Sequence, residues 1–275
     1  MKDCPVICPV CGSPLHFAEK TAVCKNGHSF DRSKEGSVNL ILNGSPSAGD
    51  GAEMASARKR FLSKGHYSHL LCGLKESLRD YIFPQSTVID ACCGEGYFTN
   101  ALQKEFCEAS FYGFDLSKRA LRYAAKDSQK ALFFAANISS VPVKDGSADI
   151  LLHIFAPVNE KEFLRLLAPK GVFIHVFPGK DHLMGIKRIL YGEPRQNDER
   201  SGLSDAFEVI SSKKISETVV LDNASLCDLI TMTPYFYRTP KDRIENAMRL
   251  PYAETETEFI IDICKKNGKI KRIKK

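Results

Sequence analysis

The stretch from Thr87 to Phe177 constrains the fold most, because short apolar runs alternate there with segments of helical period. "TVIDA", "SFYGFD", "ALFFAAN", "ADILLHIF" and "GVFIHVF" read as buried strands, and "YFTNALQKEF", "SKRALRYAAK" and "EKEFLRLLA" read as helices between them. Parallel neighbours need a long crossover, usually a helix, so the pattern predicts an α/β fold: a Rossmann-like, doubly wound sheet with helices on both faces. Beyond Ser201, "FEVISSKKISETVVL" and "TETEFIIDICKK" read as late strands around the helix "ASLCDLITM", placed to complete the sheet antiparallel.

Ligands of such sheets bind beyond the carboxyl ends of the strands, beside the first strand. The turn there runs Asp90-Ala91-Cys92-Cys93-Gly94-Glu95-Gly96. A dinucleotide fingerprint needs G-x-G-x-x-G, whereas Gly94-Glu95-Gly96-Tyr97-Phe98-Thr99 ends in threonine. Asp90 and Glu95 are also poor company for a pyrophosphate. S-adenosylmethionine carries a sulfonium and an ammonium group and no phosphate, so the same acids favour it. The turn therefore predicts a methyl donor. Asp115, ending the second strand, could accept hydrogen bonds from both ribose hydroxyls or cap the helix that follows. Asn137, ending the third, could meet the adenine edge or simply form a turn. Gly96, like Asp90, belongs to the predicted donor site.

Four of the ten cysteines fall in the first 24 residues. "CPVCG" and "CKNGH" give C-x2-C-x12-C-x3-H, two tight knuckles that set Cys8, Cys11, Cys24 and His28 around one tetrahedral zinc. With all four positions filled by protein, the site is expected to be structural. Cys4 and His16 are rival ligands, and Cys4 is expected to stay outside. Metal binding worth on the order of 10–16 kcal/mol can order a segment with little core of its own.

The expected organisation is a zinc finger over 1–42, a linker and connecting helix over 43–70, and the methyltransferase domain over 71–275, with late strands and a basic tail from about 201. "NGSPSAGDG" is a loop by composition. Met54, Ala57, Arg58, Phe61 and Leu62 then repeat at helical spacing. The net charge of +6 fits a polyanionic partner without demanding one. "KKNGKIKRIKK" at the end of the sequence holds seven cations and no acid; it reads either as a solvated end or as an RNA contact. No run approaches the ~18 apolar residues of a membrane span, and "MKDCPVICPVCG" has no secretory h-region, so a cytoplasmic protein is expected.

Together these features resemble the bacterial RlmA-type family of 23S ribosomal RNA guanine-N1 methyltransferases. The resemblance runs through the finger with "HSFDRSKEGSVNLIL", then "GDGAEM", "ARKRFLSKGHY", "DACCGEGYFTNAL", "YGFDLSK", "FAPV", "PGKDHLM" and "MTPYFYR", nearly the whole chain. It implies a zinc finger joined to a Rossmann-like domain that binds S-adenosylmethionine, working as a homodimer. The implied substrate is a guanine in a 23S rRNA hairpin near the peptide exit tunnel, tied in some members to macrolide resistance. Carried over, the zinc ligands are Cys8, Cys11, Cys24 and His28, and the cofactor contacts include Tyr67, Gly94, Glu95 and His182. Tyr67 could equally close a helix end, and His182 could cap "HLMGIKRIL". Cys92 departs from the family, which usually has glycine there. Because Gly94 and Gly96 remain, this position is expected not to need a left-handed backbone.

Guanine N1 holds a proton near neutral pH and must lose it around the time of attack. "HIFAP" ends the fourth strand, where related enzymes receive the base, making His153 and Phe155 the catalytic candidates; a buried alternating strand would explain both. Two rival functions are a small-molecule methyltransferase with the finger as stabiliser, and a non-catalytic RNA-binding protein.

Overall fold

A computed structural model describes residues 3–42 and 51–268 of the chain. Most of the expected loop from Asn43 and residues 269–275 of the basic tail lie outside the described residues. The chain opens with a small antiparallel sheet of β1 (Leu15–Phe17), β2 (Thr21–Cys24) and β3 (Ser29–Asp31). After β4 (Val38–Asn39) come α1 (Ala52–Ser63), α2 (Ser68–Leu78), β5 (Thr87–Ala91), α3 (Tyr97–Glu105), β6 (Ser110–Asp115), α4 (Lys118–Lys126) and β7 (Leu132–Ala135). They are followed by β8 (Ala148–Ile154), α5 (Glu160–Leu166), β9 (Leu167–Pro178) and α6 (Met184–Tyr191). The chain continues with β10 (Phe207–Asp222), α7 (Asn223–Met232), α8 (Tyr235–Arg238), α9 (Lys241–Met248) and β11 (Tyr252–Lys266).

The large sheet has the order β10-β11-β9-β8-β5-β6-β7-β4. Strands β9 through β4 run parallel, and β11 and β10 add antiparallel, as the late strands predict. All five residues of β5 are buried, as a strand covered on both faces requires. Alternation divides the core. Val88, Ile150 and Leu152 face Phe61, Leu70 and Leu74 of α1 and α2, while Ile89, Leu151 and Phe173 face Phe163 of α5.

The connection from β7 to β8 carries no helix, and the finger takes the vacant place. Val6, Cys8, Cys24, Val38 and Leu40 share one core cluster with Ile89, Phe114 and Phe134 of the sheet. Val38–Asn39, inside the segment expected to be a finger, is an edge strand of the large sheet, parallel to β7. Local chemistry starts the helices: Ser117 accepts from the Ala120 N–H, Asn159 from Glu162 and Asp222 from Ser225. The cap of α4 is therefore Ser117, not Asp115. Helix α6 begins at Met184 with Leu183 in the cap position, so His182 does not cap it. Among the described residues no helix is long and apolar enough to cross a membrane.

Candidate active site and metal centre

The first knuckle closes when the Gly12 N–H donates to the Cys8 carbonyl at 2.8 Å, and the second when Gly27 donates to Cys24 at 3.0 Å. Both glycines are left-handed, φ +68° and +82°, which the turns require. The ligand atoms of Cys8, Cys11, Cys24 and His28 lie within 4.8 Å of one another. Cys11 and Cys24 sulfurs are 3.7 Å apart, and His28 Nδ1 is 3.6 Å from Cys8 Sγ and 3.3 Å from Cys24 Sγ. Tetrahedral zinc with Zn–S bonds of about 2.3 Å sets sulfurs roughly 3.8 Å apart, so the donor set fits. Hydrogen bonds from Ser13, hydroxyl first and backbone second, pull the Cys11 thiol down to about 5, favouring the thiolate a metal needs. Cys4 stands outside this set, hydrogen-bonded to Tyr112, and His16 is not part of it.

A cavity of about 950 Å³ lies beyond the carboxyl ends of β5 to β9. That is near the upper end of small-molecule sites, about 300–1,000 Å³. Tyr67, Asp90, Gly94, Glu95, Asp115, Asn137, Phe155 and His182 all line it. One end is acidic. Asp115 ties the turn to β6, its Oδ2 accepting from the Gly94 N–H at 3.0 Å and its Oδ1 from the Ser117 N–H at 2.7 Å. Burial pushes the Asp90 carboxyl up to about 7 against the hydrogen bond from Thr99, and Asp115 and Glu95 push the same way. Three acids on one wall suit a cationic ligand and disfavour a pyrophosphate. Asn137 forms a turn, its side-chain oxygen accepting from the Ser139 N–H at 2.9 Å, and still stands on the cavity wall.

The other end is aromatic. Buried Tyr67, in the cap position of α2, meets Phe61 and Phe259 edge-on. Phe155 is 42% exposed and stacks on His182 with ring centroids 6.2 Å apart. His182 Nδ1 accepts from the Glu258 N–H at 3.2 Å, so its proton sits on Nε2. Burial lowers its pKa to about 3, which makes it a neutral donor and no base.

Asp90 gives a pH dependence with a definite sign. Its folded pKa is raised, so the stability it contributes to the ligand-free protein is full below its unfolded value and is lost as pH rises through about 7. A bound cation favours the carboxylate, so binding releases a proton. Affinity for S-adenosylmethionine should therefore rise severalfold from about pH 6 to 8, at most about tenfold per pH unit. Calorimetry across that range checks it, with Asp90→Asn expected to flatten the profile; a flat profile in the unaltered protein would contradict it.

Three expectations need correction. Cys92 is left-handed, φ +59°, as are Gly94 at +56° and Gly96 at +76°. The chain turns from β5 into α3 so tightly that alternate residues adopt this conformation, and a side chain there costs roughly 1–2 kcal/mol. Cys92→Gly should raise unfolding free energy by about 0.5–1 kcal/mol, the relief being partly offset by glycine's entropy. A denaturant titration measures this, and a lower midpoint would contradict the strain.

Gly96, expected at the cofactor, is not on the cavity wall: a Cβ there would lie 2.6 Å from the Cβ of Ala124, so its role is close packing of the turn on α4. His153 is also off the wall. The alternation of β8 turns it to the α5 side, fully buried between Phe163 and Phe173. There its Nδ1 meets His175 Nδ1 at 3.0 Å and its Nε2 meets the Pro157 carbonyl at 3.1 Å. Burial, with the His175 charge, lowers its pKa to about 4.

Residues on the wall that sequence reasoning left without a role include Met54, Arg58 and Leu62, a stripe of α1 at spacing four, and Tyr235 and Arg238 of α8. The signal was present in "ARKRFLSKGHY" and "MTPYFYR", but only folding shows that both segments close over the same cavity. Among the described residues, three of the four non-glycine residues with positive φ (Cys92, Phe155, Leu183) line it, as backbone strain at a functional site would.

Comparison with known proteins agrees with this geometry. Residues 6–42 match a zinc-ribbon family model described as "RlmA, N-terminal", and residues 88–171 match one described as a methyltransferase domain. The chain is 32% identical over 246 residues to the 23S rRNA (guanine(748)-N(1))-methyltransferase of Streptomyces fradiae, covering 86% of this chain and 87% of that protein. Two further relatives have names that assign them provisionally to 23S rRNA guanine-N1 methylation. Bacillus subtilis (strain 168) YxjB is 30% identical over 278 residues, 92% of this chain and 94% of that protein. A Micromonospora griseorubida protein is 30% identical over 263 residues, 86% and 88%. Such identity over most of both chains is decisive, and this chain belongs to the RlmA-type family of 23S rRNA (guanine-N1)-methyltransferases.

Proposed function

We propose that the chain transfers a methyl group from S-adenosylmethionine to N1 of a guanine in a hairpin loop of 23S rRNA near the peptide exit tunnel. The observation that carries the reading is the two-ended cavity, acidic beside the β5 turn and aromatic at Phe155, large enough for a donor and an acceptor base together.

The donor supplies an activated methyl on a sulfonium when bound. At the acidic end, Asp115 is the acceptor for ribose hydroxyls, Asn137 stands at the adenine side, and Asp90 and Glu95 favour the cationic groups. Tyr67 and His182 belong to the same site as a buried wall and a neutral N–H donor. At the other end Phe155 offers a ring face to a guanine. A loop guanine is already unstacked, which lowers the cost of drawing it into a pocket. During transfer N1–CH3 forms, S–CH3 breaks to leave S-adenosylhomocysteine, and the N1 proton passes to water. Neither His153, bonded at both nitrogens, nor His182, with Nδ1 occupied, is placed to take it.

The reading includes the finger over 1–42, the linker and connecting helix over 43–70, and the catalytic domain over 71–275. It also includes a cytoplasmic homodimer and, where the modified hairpin adjoins a macrolide site, an altered macrolide response. The test is labelled S-adenosylmethionine with a 23S hairpin transcript, the product read as N1-methylguanine by mass. Label in that base is expected. Label only in small acceptors, or no binding of the donor, would contradict the proposal and favour the two rival functions respectively.

A further inference from the structure

The finger is sewn at both ends to the segment that forms the Asn137 side of the cavity. Just before the first metal ligand, the Ile7 N–H donates to the Pro142 carbonyl at 2.9 Å and the Lys144 N–H to the Pro5 carbonyl at 3.0 Å. Between these bonds Val6 bridges Val143, both fully buried. After the last ligand, β4 pairs with β7, and the Leu40 N–H donates to the Ala135 carbonyl at 3.1 Å. Residues 136–141 lie between the two stitches, and Ala136, Asn137 and Ile138 line the cavity. Cys8 follows Ile7 directly and shares a core cluster with Val6, Val141 and Val143.

We infer that Val6, Val143 and Leu40 are positioning residues for the methyl donor: through them the metal-bound finger fixes the wall against which the adenine end rests, independently of any contact with RNA. This rests on the reading of the cavity as a donor site. The far side of the segment is held by α5. Glu162 accepts from the Val141 N–H, Arg165 donates to the Val141 and Val143 carbonyls, and Asn159 donates to the Ile138 carbonyl. The wall is thus clamped between α5 and the finger. Loosening one jaw leaves it attached but unordered, so the ligand must order it on binding. The ordering of one or two side chains corresponds to about a tenfold loss of affinity.

The test is calorimetry of S-adenosylhomocysteine with the full chain, its Val6→Ala and Val143→Ala variants, and the conservative Val143→Ile. Zinc content and circular dichroism identify the variants that remain folded and loaded. The alanine variants are expected to bind about tenfold more weakly and to raise the KM for the donor while kcat at saturating donor holds. Val143→Ile should recover most of the affinity. Should either alanine variant lose its metal or fold, Leu40→Ala loosens the second stitch and is expected to show the same weakening. Folded, zinc-loaded variants with unaltered affinity would overturn the inference. An unaltered protein that does not bind the probe would overturn the donor-site reading instead.

Discussion

Asp115→Ala should weaken S-adenosylhomocysteine binding by at least about 100-fold, the equivalent of about 2.7 kcal/mol. The carboxylate holds the Gly94 N–H at 3.0 Å and the Ser117 N–H at 2.7 Å, joining the turn after β5 to the start of α4. Hydrogen bonds to a charged acceptor contribute about 1.5–3 kcal/mol each. Removing the side chain frees the turn and deletes the proposed acceptor for the ribose hydroxyls. Asp115→Asn keeps one carbonyl oxygen and should fall between the two. Calorimetry reads both. An alanine variant within tenfold of the unaltered protein would mean that Asp115 organises the turn without touching the ligand.

Cys24→Ser should have the largest effect on the fold. It removes one of four metal ligands, in a segment whose structural zinc is worth on the order of 10–16 kcal/mol. Whole domains are stable by only about 5–15 kcal/mol, so a finger without metal cannot stay folded on its own contacts. Cys24 and Cys8 are buried in the cluster shared with Ile89, Phe114 and Phe134, and β4 is the edge strand beside β7. Unfolding of the finger would therefore bare one face of the sheet as well. Expected are loss of bound zinc, protease cleavage within residues 6–40 and a lower melting temperature. Full zinc content with undiminished protease resistance would contradict the assigned ligand set.

The strands and helices from Thr87 to Phe177 were legible because each buried strand is a continuous apolar run and each helix carries its own period. The finger was legible from spacing, since ligand geometry alone limits the knuckles. Strand β4 was not. Two residues, Val38 and Asn39, carry no periodicity, and what makes them a strand is the exposed edge of β7. The left-handed backbone at Cys92 was hidden for a related reason: φ is set by how sharply the turn must enter α3, and a cysteine does not advertise it.

At the site, alternation read from "ADILLHIF" puts His153 and Phe155, two residues apart, on one face, and the sequence does not show where the strand ends. The sequence therefore offered His153 and Phe155 equally, whereas β8 ends at Ile154 and the left-handed backbone at Phe155, φ +55°, breaks the alternation, leaving His153 in the core and Phe155 on the wall. The sequence offered Gly96 as a glycine needed at the donor. Its neighbour Ala124, 28 positions later, decides that the need is packing.

The most direct test of the account is a mass map of N1-methylguanine in 23S rRNA from cells with and without the gene. The account predicts that one such base loses its methyl group when the gene is removed and regains it with the unaltered gene, but not with Asp115→Ala. An identical methylation pattern in both cell lines would contradict it.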